Sequence, residues 1–549
     1  MMKRTPLKRT HAPSGSSTLK AALVRALLLL ILLAGLPAAA RAQGSRLPAP
    51  DKVVAEYLKA VGGKERLAAL RDATYEWTVT RDGREAGTAR THLKTTGALR
   101  TDFLLADGEW DAAANPRTAW LRGRDGHLST LTDREAFAAR LQALLEPAFF
   151  ADYRKQKVLA RTAVREEVAG AQAYAVEFTT RSGARLRYWF DAQTKLLLQS
   201  LDEARQTRVR YADWRGREGS PLKVEPHRLE VEREGEPALT LTLKSASYNT
   251  GLADSFFEPP ADATLDIPAL LRDLAKNQDE TDKRINDYTF TRKVTERELD
   301  DKGQLKKEKV TVYEVYPFVG YGRVEKLVSE NGVPLSPERE AKELKRVAEE
   351  LEKAEREAPK RTEKRERERA RRREKRRAQA AKSGGEEEDE EDVGIATFLR
   401  ACELVSPRRE RFRGRDVIVF DFRPRAGFKP SNSGESLVSK LSGVIWVDPA
   451  DRQVMRIEAR LVDSFNMGGG LLASIKQGSA FLFEQTRLED GVWLPRYSQV
   501  NLSARVILFK GMTINETDEF SDFKRFSTRA GEHKLDEPKK KEPETPPQP

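Results

Sequence analysis

One cysteine, Cys402, stands in 549 residues. A chain with one cysteine has no internal disulfide, so its folded parts must hold together by burying apolar surface. Cys402 lies in Ala401-Cys402-Glu403-Leu404-Val405, at an expected helix end. There it reads as a small buried hydrophobe rather than a reactive thiol. Histidine is nearly as scarce. His11 leaves with the leader, and His92, His127, His227 and His533 stand alone, without metal-ligand spacing. No Gly-x-Ser-x-Gly elbow and no zincin motif occurs, and no Gly-Lys-Ser/Thr follows Gly468-Gly469-Gly470. The usual marks of metal, covalent and phosphate-loop chemistry are therefore missing. No cofactor is implied, no residue recommends itself as catalytic, and a non-enzyme is expected.

Long apolar runs are missing as well, apart from one near the N-terminus. Lys3, Arg4, Lys8, Arg9, Lys20 and Arg25 precede the run Ala26 to Leu36, and Ala40-Arg41-Ala42 precedes Gln43. This pattern predicts a secretory signal over 1–42, cleaved between Ala42 and Gln43. It places the mature chain in the envelope: exported, periplasmic, with outer-membrane association open. The run is short for a bilayer span. No cysteine follows it, so a lipid-anchored protein is not expected. Of the net charge of +12, the leader carries +7, residues 360–382 carry +9 and the acidic run 386–392 carries −7, so everything else sums to +3. The high pI belongs to a leader and one insert, not to the folded parts.

Residues 51–70 show helical spacing in Val54, Leu58, Val61, Leu67 and Leu70, broken by Gly62-Gly63. From Ala73 the period becomes two: Tyr75, Trp77 and Val79 alternate with Thr74, Glu76 and Thr78, as in a half-buried strand. Thr132-Asp133-Arg134-Glu135 reads as a capping box opening a helix that Pro147 stops. The second half repeats the layout. A helix is expected over about 268–280, a strand from Tyr288, a hairpin turn at Asp301-Lys302-Gly303, and a helix from Ser336-Pro337 to Pro359. Strands resume at Val417 to Phe422 and run to about Phe526. The tail after Glu532 is rich in Lys, Glu and Pro and is expected to be disordered.

An ordered echo links the halves. Tyr188-Trp189-Phe190-Asp191, Gly219-Ser220-Pro221, Tyr248-Asn249 and Phe256 recur in order as Val447-Asp448-Pro449, Gly491 to Pro495, Ile514-Asn515 and Phe520. With the helical start at Val54 to Gly63 and the helix after Thr132, this layout resembles the LolA/LolB-like lipoprotein carriers, a superfamily that also holds RseB-type envelope sensors. The resemblance implies an α+β, mainly β fold: two tandem half-open antiparallel β-barrels, strongly curved sheets with helices covering the concave side. The first copy would span 51–262 and the second 267–527, with a charged helical or disordered insert at about 337–392 and a tail at 528–549. Two copies, and an insert where a lid helix belongs, depart from the single-domain carriers.

The resemblance also implies a function: binding of lipid or of an acylated lipoprotein's chains in a concave apolar cavity. Alternation nominates the lining. In the first copy it is Leu186, Tyr188, Phe190, Leu239, Leu241 and Leu243; in the second it is Met455, Ile457, Leu461, Leu502, Val506 and Leu508. Plain core packing explains the same pattern, because alternation cannot show whether a face encloses space. The helices after Thr132 and Ser336 would act as lids. The alternative is a non-enzymatic RseB-like sensor or scaffold whose charged insert docks a partner or membrane. The basic tract 360–382 has the composition of a nucleic-acid binder, but the leader and the lack of interleaved aromatics argue against nucleic acid. A solvated helix is the preferred reading, with an anionic membrane surface second. Asn466 to Leu472 reads as a glycine-rich hairpin turn.

Overall fold

The computed structural model describes residues 47–525, apart from 149, 151–152, 157, 181–182, 300–304, 319–321, 384–394, 468–472 and 507–508. The leader with Ala42 and Gln43, the turn at 301–303, the acidic run, Leu508 and the C-terminal tail lie outside the described residues.

Helix α1 (Pro50–Val61) starts with proline, which needs no N–H partner there, and carries Asp51 in its first turn and Lys59 in its last, both favourable to the helix dipole. Val53, Val54, Tyr57 and Val61 form its buried stripe. After α2 (Gly63–Ala69) come six strands: β1 (Asp72–Arg81), β2 (Arg84–Lys94), β3 (Ala98–Leu105), β4 (Gly108–Ala114), β5 (Ala119–Arg122) and β6 (Leu128–Thr130). Helix α3 (Asp133–Leu144) crosses over. Seven more follow: β7 (Leu159–Val168), β8 (Ala171–Thr179), β9 (Arg185–Asp191), β10 (Leu197–Asp202), β11 (Thr207–Arg215), β12 (Glu225–Arg233) and β13 (Leu239–Tyr248). The chain enters at the middle of the sheet, meanders out to edge β6, crosses, and returns from the opposite edge β7 to β13, which pairs with β1.

The second half begins with α4 (Ile267–Arg284) and has β14 (Tyr288–Leu299), β15 (Leu305–Phe318), β16 (Gly322–Glu330) and β17 (Val333–Pro334). Helices α5 (Pro337–Ser383) and α6 (Ile395–Ala401) lead to β18 (Cys402–Phe412) and β19 (Arg415–Pro424). Then come α7 (Ser433–Val438), β20 (Leu441–Asp448), β21 (Gln453–Leu461), the short β22 (Phe465–Met467) and β23 (Ala473–Ile475), β24 (Ala480–Arg487), β25 (Trp493–Val506) and β26 (Phe509–Arg525). Again the first strand sits mid-sheet, the outward run ends at β17, and the return from edge β18 ends at β26, paired with β14. The halves thus share one connectivity. The fold is mainly β, two open antiparallel sheets with helices against one face. Bulges at Glu76/Trp77, Thr162/Val164 and Trp446/Val447 increase local twist and bend the strands.

Three local expectations are corrected. The Thr132 capping box does not form: the Thr132 side chain makes no cap bond. Asp133 has a φ of 53°, which turns the first residue out of helical geometry. Helix α5 does not stop at Pro359 but runs through it to Ser383. Proline costs one backbone hydrogen bond, and Pro359 itself, with Arg356 and Lys360, is exposed. Finally, Met455 and Ile457 do not share a face. Trp446 pairs with Arg456 and Val447 with Val454, which leaves Met455 as the extra residue of a bulge. Met455 packs with Trp446, Val444 and Trp493, whereas Ile457 packs with Ile445, Val447 and Phe420 on the other side.

Strand β6 lies beside β18, so each covers the other's edge. The joint is ionic and dry. Arg408, 1% exposed, donates from Nε to Glu410 (2.7 Å) and from Nη1 to Asp421 (2.9 Å) and the Ser406 carbonyl (2.7 Å). The Thr130 N–H and hydroxyl both donate to Glu410 at 2.7 Å. Arg117 donates to Asp421 (3.1 Å) and Glu258 (2.8 Å), and Arg456 to Asp133 (2.8 Å). Such a network ties the two halves at fixed partners; its net worth depends on every charge being met.

Candidate functional site

Under α1, on the face of the first sheet that the helices cover, the packing is incomplete. A pocket of about 60 Å³ remains between Tyr57 and Val61 of α1, Tyr75 and Trp77 of β1, Leu93 of β2, and Trp214 and Leu229 of β11 and β12. It has room for a few water molecules. One wall is the segment Glu146-Pro147-Ala148, just after α3. Two hydrogen bonds hold this segment down: Tyr57 donates to the Pro147 carbonyl (2.9 Å) and Tyr188 to the Leu145 carbonyl (3.2 Å).

The segment carries a plug. Phe150 is 3% exposed and makes edge contacts with Tyr57, Phe178, Tyr188 and Phe190, with centroids 5.5–6.2 Å apart. Its φ of 38° is a left-handed conformation that a bulky side chain rarely adopts, at a cost of roughly 1–3 kcal/mol. The ring packing holds the segment in that conformation.

Glu146 is the one acid in this wall without a hydrogen-bond partner among the described residues. Burial alone pushes its carboxyl up to about 8. Across the pocket, the buried Glu225 accepts from the Tyr248 hydroxyl at 2.7 Å. Burial also raises the Tyr57 and Tyr75 hydroxyls, above all other influences, so both stay neutral donors.

The nominated lining residues fall into several places. Leu186, Tyr188 and Phe190 form the aromatic bed into which Phe150 inserts. Leu239 and Leu241 are buried, with Leu243 against them, in the cluster around Trp77 and Leu93. None of these six borders the remaining void. Met455 and Ile457 are split as described, and Leu461 is buried. Leu502 lines a separate cleft between the halves, of about 530 Å³. Val506 is paired in β25, and Leu508 lies outside the described residues.

The lid assignments change. Helix α3 is held between both halves: Ala136, Ala138 and Ala139 are buried, Leu141 packs on the first core, and Asp133 is bound by Arg456. Swinging it out would open both halves at once. In the second half, Ile267, Leu271 and Leu274 of α4, with Phe398, Ala401 and Val438 beside them, cover the sheet face. Helix α5 packs on β16 instead, through Val347 and Ala354 and a bond from the Leu327 N–H to Glu343 (2.8 Å). Sequence reasoning missed Phe150 and Glu146. The signal was the aromatic run after Pro147, since a solvated loop has little use for one.

Among the described residues no helix is long and apolar enough to cross a membrane, and no group of three or more His, Cys, Asp or Glu could hold a metal ion. No protein-family model matches the chain, and no curated protein does. Among solved structures the chain is similar to a DUF1329 family protein from Desulfovibrio piger, at 14% identity and a TM-score of 0.27, over 39% of this chain and 98% of that one. It is similar to a LolA superfamily protein from Nitrosomonas europaea at 11% identity and a TM-score of 0.26, over 39% of this chain and 98% of that one. It is also similar to a chain of the Pseudomonas aeruginosa MucA/MucB complex, at 10% identity and a TM-score of 0.17, over 86% of this chain and 99% of that one.

Proposed function

We propose that this is an exported, non-enzymatic binding protein that takes an acyl chain of a lipid or lipoprotein into the first half-barrel. The observation that supports this is the Phe150 plug: a strained, apolar side chain from a connecting segment fills the aromatic bed that would otherwise be the cavity. An incoming chain would replace Phe150 and the wall at 146–148, while α1 and α3 stay in place. Affinity is then the difference between two burials. Removing a buried phenylalanine costs about 3–5 kcal/mol. A methylene gains about 0.8 kcal/mol on burial. Roughly four to six buried methylenes therefore match the plug, and longer chains win.

The test is native mass spectrometry of the full chain mixed with peptide amides carrying C4 to C16 acyl groups. Uptake should begin past about four to six methylenes and shift to shorter chains in Phe150→Ala. If neither protein takes up any acyl peptide, the reading fails. A second reading, an envelope scaffold, is favoured by α5, a 47-residue helix docked on β16 near its N-terminal end and carrying the basic tract. Deleting 360–392 separates the two: a carrier keeps acyl binding, and a scaffold loses its partner.

A further inference from the structure

The cleft between the halves differs in kind from the pocket under α1. Its volume of about 530 Å³ falls within the range of about 300–1,000 Å³ usual for small-molecule sites. One wall is apolar: Phe137 and Leu144 of α3, Val158, and Phe481, Leu482 and Leu502 of the second sheet. Phe481 is 41% exposed, one of few large apolar side chains that open to solvent. The charged groups lining the cleft are Arg117, Arg140, Arg460 and Glu458. Arg117 is met by Asp421 and Glu258, and Glu458 accepts from Arg456 at 3.0 and 2.5 Å.

Among the described residues Arg140 and Arg460 have no direct ion pair. Arg140 reaches only the Arg117 carbonyl, at 3.4 Å, and lies 5.0 Å over the Phe137 ring. The Arg460 side chain has no hydrogen-bond or ion-pair partner among the described residues. Burial above all lowers both guanidinium groups, and Arg140 and Arg117 lower Arg460 further, to about 9, while the charge of Glu458 offsets part of this at both groups and that of Asp421 at Arg140. A guanidinium partly withdrawn from water without a direct ion pair is costly, and the cleft's one carboxylate, Glu458, is already engaged by Arg456. Here two face one space from elements 320 positions apart, α3 and β21, with a greasy wall beside them.

We propose that this cleft binds an anionic amphiphile, its carboxylate or phosphate held between Arg140 and Arg460 and its single alkyl chain along Phe137, Leu144, Phe481 and Leu502. Planar guanidinium groups suit both heads, because each offers paired donors to two oxygens. This site is separate from the Phe150 plug, and either can stand without the other.

The test is calorimetric titration of the full chain, below micelle formation, with dodecanoate, dodecyl phosphate, dodecanol and inorganic phosphate. Both anionic amphiphiles should bind, whichever is tighter identifying the head, and dodecanol should be at least tenfold weaker. Arg460→Gln and Arg140→Gln should each weaken dodecanoate roughly tenfold or more, Arg460→Lys less, and Phe150→Ala not at all. Removing a half-buried charge that has no direct ion pair should leave Arg460→Gln about as resistant to urea as the parent, so lost binding is not lost folding. Leu502→Asn should weaken both amphiphiles and leave inorganic phosphate unchanged. Equal binding of dodecanol, or full binding by both glutamine variants, overturns the proposal. So does inorganic phosphate binding as tightly as dodecyl phosphate, which reduces the cleft to a simple anion site.

Discussion

Glu146 ties the stability of this protein to pH in a direction opposite to that of most carboxylates. Its carboxyl stands at about 8 in the folded chain against an ordinary 4.5, because it is packed into a largely apolar wall and has no side-chain hydrogen-bond partner among the described residues. Below pH 4.5 it is protonated folded and unfolded, and contributes nothing. Between 4.5 and 8 the folded chain keeps a proton that the unfolded chain has lost. Stability therefore falls as pH rises through that window, by about 1.4 kcal/mol per pH unit, and levels off above 8. The full loss is roughly 5 kcal/mol, of which about 3 kcal/mol is already lost at pH 7. Glu146→Gln keeps the shape and removes the titration. Urea unfolding of parent and variant at pH 5, 7 and 8.5 measures it, through the midpoint at constant slope. The variant should match the parent within about 1 kcal/mol at pH 5 and exceed it by several kcal/mol at pH 8.5. A gap of the same size at every pH would refute the reasoning, since a titrating group is the only term here that grows with pH. Ionised Glu146 also pushes its own segment toward water, so acyl uptake should be faster at pH 8.5 than at pH 6.

Other outcomes follow from single sites. Arg408→Ala leaves Glu410 buried beside Asp421 without its main counter-charge and should cost about 3–5 kcal/mol in urea unfolding. Cys402 is buried and its thiol is pushed up to about 12, first of all by burial. A thiol reagent should leave the native chain unmodified and label one site only after denaturation, as followed by mass. A Cβ on Gly443 would stand 1.8 Å from the Glu458 carbonyl oxygen and 2.8 Å from the Phe422 ring. Gly443→Ala should therefore lower the stability measured by urea unfolding by about 1–3 kcal/mol, whereas the same change at Gly170, where the space is open, removes only a glycine suited to φ of 80°.

Local spacing in the chain was enough for the strands, because a half-buried strand must alternate whatever it packs against. Tyr75, Trp77 and Val79 all point into the core as their period implies. The echo between the halves corresponds to one connectivity used twice. Cys402 is as deeply buried as its apolar surroundings imply. Where alternation failed, at Met455, a bulge added one residue and reversed the face, and nothing in the residue types marks that insertion. The rest was settled by tertiary contacts. Period and capping describe neighbours a few residues apart, but α3 became a fixed joint rather than a lid through Arg456, more than three hundred residues away. Phe150 became a plug, and Glu146 a neutral acid, because of what the folded chain places over them. Arg140 and Arg460 share one cleft only because the edge strands β6 and β18 meet and α3 is held against the second sheet through Asp133 and Arg456.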